Sequence, residues 1–166
     1  MTASNPELVI ATFQVKIGHQ IMGDVLEISE IYNIALATQS VSFVKGDQII
    51  REGDKGDTFY IIKSGRVDVY IKSCGDDPIR TMSIGEFIGE KAMVQEQGVR
   101  TATCVVTSDS VECLTLERED FSKMLGDVKW MFEEVNNREK HFISNGQPNK
   151  DRTKANKNEY ENEGYK

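Results

Sequence analysis

The sequence predicts an α+β, mainly β protein: an eight-stranded antiparallel β-roll or jelly roll flanked by N-terminal helices and C-terminal helices. Three observations predict it. From Ser40 onward, short apolar segments with polar interruptions recur at regular spacing, as half-buried strands do. Turns rich in glycine separate them, at Lys45-Gly46-Asp47, Gly53-Asp54-Lys55-Gly56-Asp57, Ser64-Gly65 and Gly75-Asp76-Asp77-Pro78, a pattern typical of antiparallel barrels and jelly rolls. Helical periodicity precedes this region and returns after it.

The elements follow in order. Asn5-Pro6-Glu7 starts a helix with proline at its first position, and the helix is expected to run to about Lys16. Asp24-Val25-Leu26-Glu27 reads as a capping box. Behind it, Ile28, Ile31, Tyr32, Ala35 and Leu36 share one helical face. Val41 and Phe43 alternate with polar neighbours, and Gln48 to Ile50 is a brief strand. Thr58 to Lys63 and Arg66 to Lys72 read as a hairpin about Ser64-Gly65. Ile79 to Met82, Thr101 to Val106 and Val111 to Leu116 continue the series. Helix resumes near Glu117, with a hinge-like Gly126 and an apolar stripe of Val128, Met131, Phe132 and Val135. Beyond about Ser144 the chain is polar enough to read as a disordered tail or linker. The expected division is 1–39 helical, 40–116 β-roll, 117–143 helical and 144–166 tail.

The net charge of -7 opposes broad binding to nucleic acid or to an anionic membrane surface. An anionic ligand must therefore be held by a local positive spot. No apolar run is long enough to span a bilayer, and the N-terminus carries no leader pattern. The 3 cysteines, Cys74, Cys104 and Cys113, lack metal-like spacing and read as reduced thiols of a cytoplasmic protein. The 2 histidines, His19 and His141, lie outside the expected strands. A metal site on a jelly roll needs several histidines converging with a carboxylate, so neither a metal nor a resident cofactor is expected. No nucleophile–base pair is evident, and the chain reads as a binding module and not an enzyme.

One stretch carries ligand chemistry. Gly85-Glu86-Phe87-Ile88-Gly89-Glu90-Lys91-Ala92-Met93 is followed by Val99-Arg100-Thr101-Ala102-Thr103, together spanning 85–103. Amides at the start of a helix attract an anion, and an arginine fork pairs with phosphate oxygens. A carboxylate accepts from a sugar hydroxyl. The set suits a small ligand bearing both hydroxyls and a phosphate.

These residues resemble cyclic-nucleotide-binding domains, and within them the regulatory sites of cGMP-dependent protein kinases. Ile49-Ile50-Arg51-Glu52-Gly53-Asp54-Lys55-Gly56-Asp57-Thr58-Phe59-Tyr60-Ile61-Ile62 is similar to the family's early strands. Gly89-Glu90-Lys91-Ala92 with Arg100-Thr101-Ala102-Thr103 is similar to its phosphate-binding cassette. The resemblance implies that Glu90 binds the ribose 2′-hydroxyl and that Arg100 pairs with the cyclic phosphate. It implies that amides near Gly89 and Ala92, with Lys91 and Ala102 in the same cassette, surround that phosphate, and that Asp57 orients Arg100. Ile88 replaces a usual aromatic, Val99 replaces a usual proline, and the span from Glu90 to Arg100 is slightly longer than common.

Two positions bear on the base. The resemblance implies that Thr101 faces the guanine 2-amino group and that Arg80 faces guanine O6 and N7. Arginine suits those acceptors, whereas adenine presents a donor in place of O6. A lid over the purine is expected from the C-terminal helix, with Trp130 and Phe132 as candidates; Phe132 also completes the apolar stripe, and Trp130 lies off it. The expected ligand is cGMP, alternatively cAMP. The expected partner is a kinase catalytic domain, in the same chain or another, controlled by ligand-driven repacking of the C-terminal helix. The competing readings are a cAMP-binding regulatory-subunit-like domain and a degenerate interaction domain that binds no nucleotide.

Overall fold

The computed structural model describes residues 6–17, 19–94 and 98–126. In chain order the elements are α1 (Pro6–Phe13), β1 (Lys16–Ile17), β2 (Gln20–Ile21), α2 (Met22–Val25), α3 (Ile28–Ala37), β3 (Gln39–Val44), β4 (Gln48–Ile50), β5 (Thr58–Ser64) and β6 (Val67–Tyr70). A 3-10 turn at Lys72–Cys74 leads on to β7 (Arg80–Met82), β8 (Phe87–Ile88), α4 (Glu90–Val94), β9 (Thr103–Val106), β10 (Ser110–Glu117) and α5 (Arg118–Leu125).

Eight of the strands form the roll, as two antiparallel four-stranded sheets ordered β3-β10-β5-β8 and β4-β9-β6-β7. Their alternation makes two cores. Ile62, Ile88 and Cys113 of the first sheet meet Val67, Val69, Met82 and Cys104 of the second in the roll interior. The opposite face of the first sheet, with Phe59, Ile61, Phe87 and Leu116, packs against Met22, Ile34, Phe121 and Leu125 of the helices. Phe59 stacks between Phe87 and Phe121, with ring centroids 5.5 and 5.1 Å away. A fully buried side chain of this size contributes about 1.5–3 kcal/mol. The helices that flank the roll are thus fixed to the sheet whose last strand, β8, leads into the cassette.

Several local expectations change. β5 and β6 do not pair with each other: β5 lies between β10 and β8, while β6 lies between β9 and β7. Lys63 is an extra residue opposite the Glu112/Cys113 step, where the register shifts, and such a bulge bends the strand. Gly65, at φ +91, then turns against the Ser110 carbonyl where no side chain fits. The chain so crosses from one sheet to the other. The first helix stops at Phe13, because Lys16 and Ile17 enter a strand whose Lys16 N–H donates to the Gly85 carbonyl at 2.7 Å. The capping box belongs to Glu27 and Glu30: Glu30 Oε2 accepts the Glu27 backbone N–H at 2.8 Å, and Asp24 sits in the short α2 instead.

The buried face of α3 is Ile31, Ile34 and Ala35, whereas Ile28, Tyr32 and Leu36 are exposed. The helix is apolar on two sides, so spacing alone did not choose between them. The second strand of the expected hairpin ends at Tyr70, since Lys72 enters the 3-10 turn, and the strand after Arg100 starts at Thr103. Asn5, His141, the stripe from Val128 to Val135, Trp130, Phe132 and the tail 144–166 lie outside the described residues. Among the described residues, no helix is long and apolar enough to cross a membrane.

Candidate functional site

The site is built where β8, α4 and the segment before β9 meet the loop leading into β5. Gly89 takes φ +91, ends β8 and opens directly into α4. Glu90, the first residue of α4, is 6% exposed, and Arg100 is 5% exposed. Two charged residues are thus buried at one place, which a fold tolerates only when each has partners.

Arg100 finds its partners in backbone carbonyls. Nη2 donates to the Thr58 carbonyl at 2.8 Å, and Nη1 donates to the Gly89 carbonyl at 3.3 Å. The backbone is anchored as well: Arg100 N–H donates to the Asp54 carbonyl at 2.8 Å, and the Gly53 N–H donates to the Arg100 carbonyl at 2.9 Å. Gly56 and Gly89 lie so close to the guanidinium that a methyl on either would overlap it. Burial pulls the guanidinium below its ordinary range, while Tyr60 and Asp57 oppose that shift and Arg118 adds to it. Two donors face carbonyls, and an arginine has five. The remaining ones suit an anion.

The charges of Glu90, Arg80, Arg100 and Lys91 are all felt at one buried thiol, Cys104. Burial pushes Cys104 up to about 12; Glu90 reinforces that, and Arg80, Arg100 and Lys91 oppose it. Register explains the inclusion of Arg80. Val69 pairs with Arg80 on one side and with Cys104 on the other, and directly paired residues share a face of the sheet. Arg80 therefore lies on the interior face, half-buried, with Nη2 3.6 Å from the Met82 sulfur. Ala92 is buried in the core under the helices, Ala102 is buried in the roll interior, and Thr101 between Arg100 and Ala102 is half-buried.

Asp57 stands apart from the expected arrangement. Its carboxylate accepts from Arg118 Nε at 3.0 Å, and its hydrogen-bonded partner is Arg118 and not Arg100. The Arg100 fork is turned toward the carbonyls of Thr58 and Gly89, so Asp57 reaches it only through charge. The two lid candidates, Trp130 and Phe132, lie outside the described residues. Sequence reasoning passed over Gly56, Cys104 and Arg118. Gly56 was legible only as a turn residue, Cys104 as a small apolar one and Arg118 as a helix start; each gains its place from a neighbour distant in sequence.

A family model described as the cyclic nucleotide-binding domain matches residues 40–127. The cGMP-dependent protein kinase egl-4 of Caenorhabditis elegans is 41% identical over 98 residues, which cover 57% of this chain and 12% of that kinase. The cGMP-dependent protein kinase 2 of Homo sapiens is 38% identical over 104 residues, covering 61% of this chain and 13% of the kinase. The chain thus spans a small part of the length of these kinases. Among solved structures, the regulatory domain of Toxoplasma gondii PKA with cAMP aligns with a TM-score of 0.70 at 24% identity, over 80% of this chain and 49% of the other. That similarity shows the shared fold.

Proposed function

The chain belongs to the cyclic nucleotide-binding domain family, and from that premise we propose that it binds cGMP, with cAMP as the weaker ligand, and regulates a protein kinase. One observation carries the reading: the buried Arg100 guanidinium touches the carbonyl of Gly89, the residue immediately before the buried Glu90. A cation for a phosphate and a carboxylate for a ribose hydroxyl are therefore adjacent. Arg100 would pair with the cyclic phosphate, with Gly89, Lys91, Ala92 and Ala102 lining the same cassette. Glu90 would accept from the ribose 2′-hydroxyl. Arg80, on the interior face, would meet the guanine edge, with Thr101 at the 2-amino group. Trp130 or Phe132 would cover the base.

The similarity to cGMP-dependent kinases supports cGMP over cAMP. In this reading the chain performs no catalysis, needs no cofactor, and acts on a kinase catalytic domain in the same or another chain. Ligand drives a population shift in the helices that follow the roll. Competition titration of cGMP against cAMP on the purified chain tests it. Tighter binding of cGMP is expected. Tighter binding of cAMP would move the chain to the regulatory-subunit type, and no binding of either would make it a degenerate interaction domain.

A further inference from the structure

The edges of the roll are not equally guarded. In the two four-stranded sheets the edge strands are β3, β8, β4 and β7. β8 has 2 residues, β4 has 3 and a register shift, and β7 has 3 with Arg80 among them. Short, bulged or charged edges pair poorly with another chain. β3 has none of these guards. It runs for 6 residues, Gln39-Ser40-Val41-Ser42-Phe43-Val44, with no charge, no proline and no register shift against β10. Uncharged segments of this length with β-branched and aromatic residues pair readily with further strands.

Register fixes what the edge offers. Along an antiparallel strand, alternate residues turn their N–H and C=O toward the neighbour. Lys45 N–H donates to the Asp109 carbonyl at 3.1 Å, so the odd-numbered positions face β10. Val44 faces away: its N–H donates to Asp47 Oδ2 at 2.9 Å, and its carbonyl accepts from Asp47 N–H at 3.0 Å. Ser40 and Ser42 therefore turn their backbone groups outward as well, and among the described residues nothing bonds to those groups. Asp47 closes the ladder at Val44 and leaves Ser40 and Ser42 as its open rungs.

A second copy of the chain fits these rungs. A two-fold axis through Val41 sets Ser40 of each copy against Ser42 of the other, and every outward N–H and C=O of both serines finds a partner. In that register Lys45 comes beside the partner's Ala37, at the end of α3. The last turn of α3 contains no basic residue, and a cation there complements the negative end of the helix dipole. Val44, 62% exposed, comes beside the partner's Thr38, close behind the partner's Leu36, which is 57% exposed. The uncharged strands meet without repulsion, and charge and apolar surface are matched at both ends of the seam. An unlike strand would satisfy the same rungs without supplying that cation. We propose that β3 is a self-pairing edge: two copies of this chain join antiparallel through Ser40 and Ser42, centred on Val41, into one continuous sheet. The pairing uses the open edge of both copies and so closes as a dimer.

Sedimentation equilibrium of the whole chain tests the proposal, at about 0.15 M salt, where repulsion from the net charge of -7 is screened beyond about 8 Å. A reversible dimer is expected, with a Kd on the order of 10–100 μM. Ser42→Pro removes an outward N–H on a strand that is already extended. It should weaken the dimer at least about tenfold while the Tm stays near native. Lys45→Glu should weaken it by about threefold to tenfold. Cysteine cross-linking reads the register without relying on the proline variant. In a Cys74→Ser background, which removes the exposed native thiol, Val41→Cys should form a disulfide-linked dimer under mild oxidation, because the axis brings the two α-carbons within about 4.5 Å. Val44→Cys should stay unlinked, since the same register holds its two copies about 20 Å apart. A chain that remains monomeric at about 1 mM overturns self-pairing in favour of an unlike strand. A dimer that a folded Ser42→Pro variant does not weaken, or one that links through Val44→Cys and not through Val41→Cys, overturns the assignment to this strand and register.

Discussion

The guanidinium of Arg100 lies over the α-carbon of Gly56, a contact that leaves no room for a side chain. The two residues are far apart in sequence but adjacent in space, because the Gly56 N–H donates to the Gly98 carbonyl and Lys55 bridges Val99. The loop before β5 is thus the bed on which the arginine rests.

Gly56→Ala should dislodge Arg100 while leaving the two cores intact. Gly56 has no left-handed backbone to strain, so its effect runs through the arginine. Calorimetric titration should show cGMP binding weaker by about 10- to 100-fold, or roughly 1.4–2.8 kcal/mol. Native affinity in a folded variant would show that the arginine can move without consequence.

Arg100→Ala removes the charge and leaves the Thr58 and Gly89 carbonyls without their donor. Cyclic-nucleotide affinity should fall by about 2–4 kcal/mol. Arg100→Lys should recover only part of it, since an ammonium cannot span both carbonyls and a phosphate. An unchanged Kd in the alanine variant would take Arg100 out of the role.

Glu90→Ala should weaken cGMP by about 1–3 kcal/mol and should scarcely affect 2′-deoxy-cGMP. Paired titrations of the two ligands decide it: equal losses would place the carboxylate away from the ribose.

Thr101→Ala should lower the preference for cGMP over cAMP by about 1 kcal/mol, the worth of one neutral hydrogen bond. The ratio of the two dissociation constants is the measurement, and a ratio that stays put rejects Thr101 as a reader of the base.

The buried thiols set a pH limit. Burial raises both Cys104 and Cys113 to about 12, while thiols of the unfolded chain ionise near pH 8.5. Between about pH 8.5 and 12 the folded state retains protons that the unfolded state has released, so stability falls as pH rises. Below that window these groups contribute no pH dependence. Urea midpoints measured at pH 8 and pH 10 should decline, and the decline should shrink in a Cys104→Ala, Cys113→Ala variant. An identical decline in that variant would assign it to other groups.

The chain's own chemistry indicated most of the strands and the glycine turns between them, because alternation and glycine placement are local properties. The Gly89-Glu90 and Arg100-Thr101 pairs were marked by resemblance. Tertiary structure alone decided the partners. Thr58 to Ser64 is apolar on both sides, so nothing within it selects β10 and β8 over β6; the Lys63 bulge and the Gly65 corner do. α3 carries apolar residues on two faces, and only the folded helix-side core, which buries Ile34 and leaves Ile28 exposed, shows which face turns inward. Asp57 had two arginines available, and the one it holds depends on which guanidinium the folded backbone brings within reach. Local propensity is written in neighbouring residues, whereas pairing depends on which distant surfaces exclude water together.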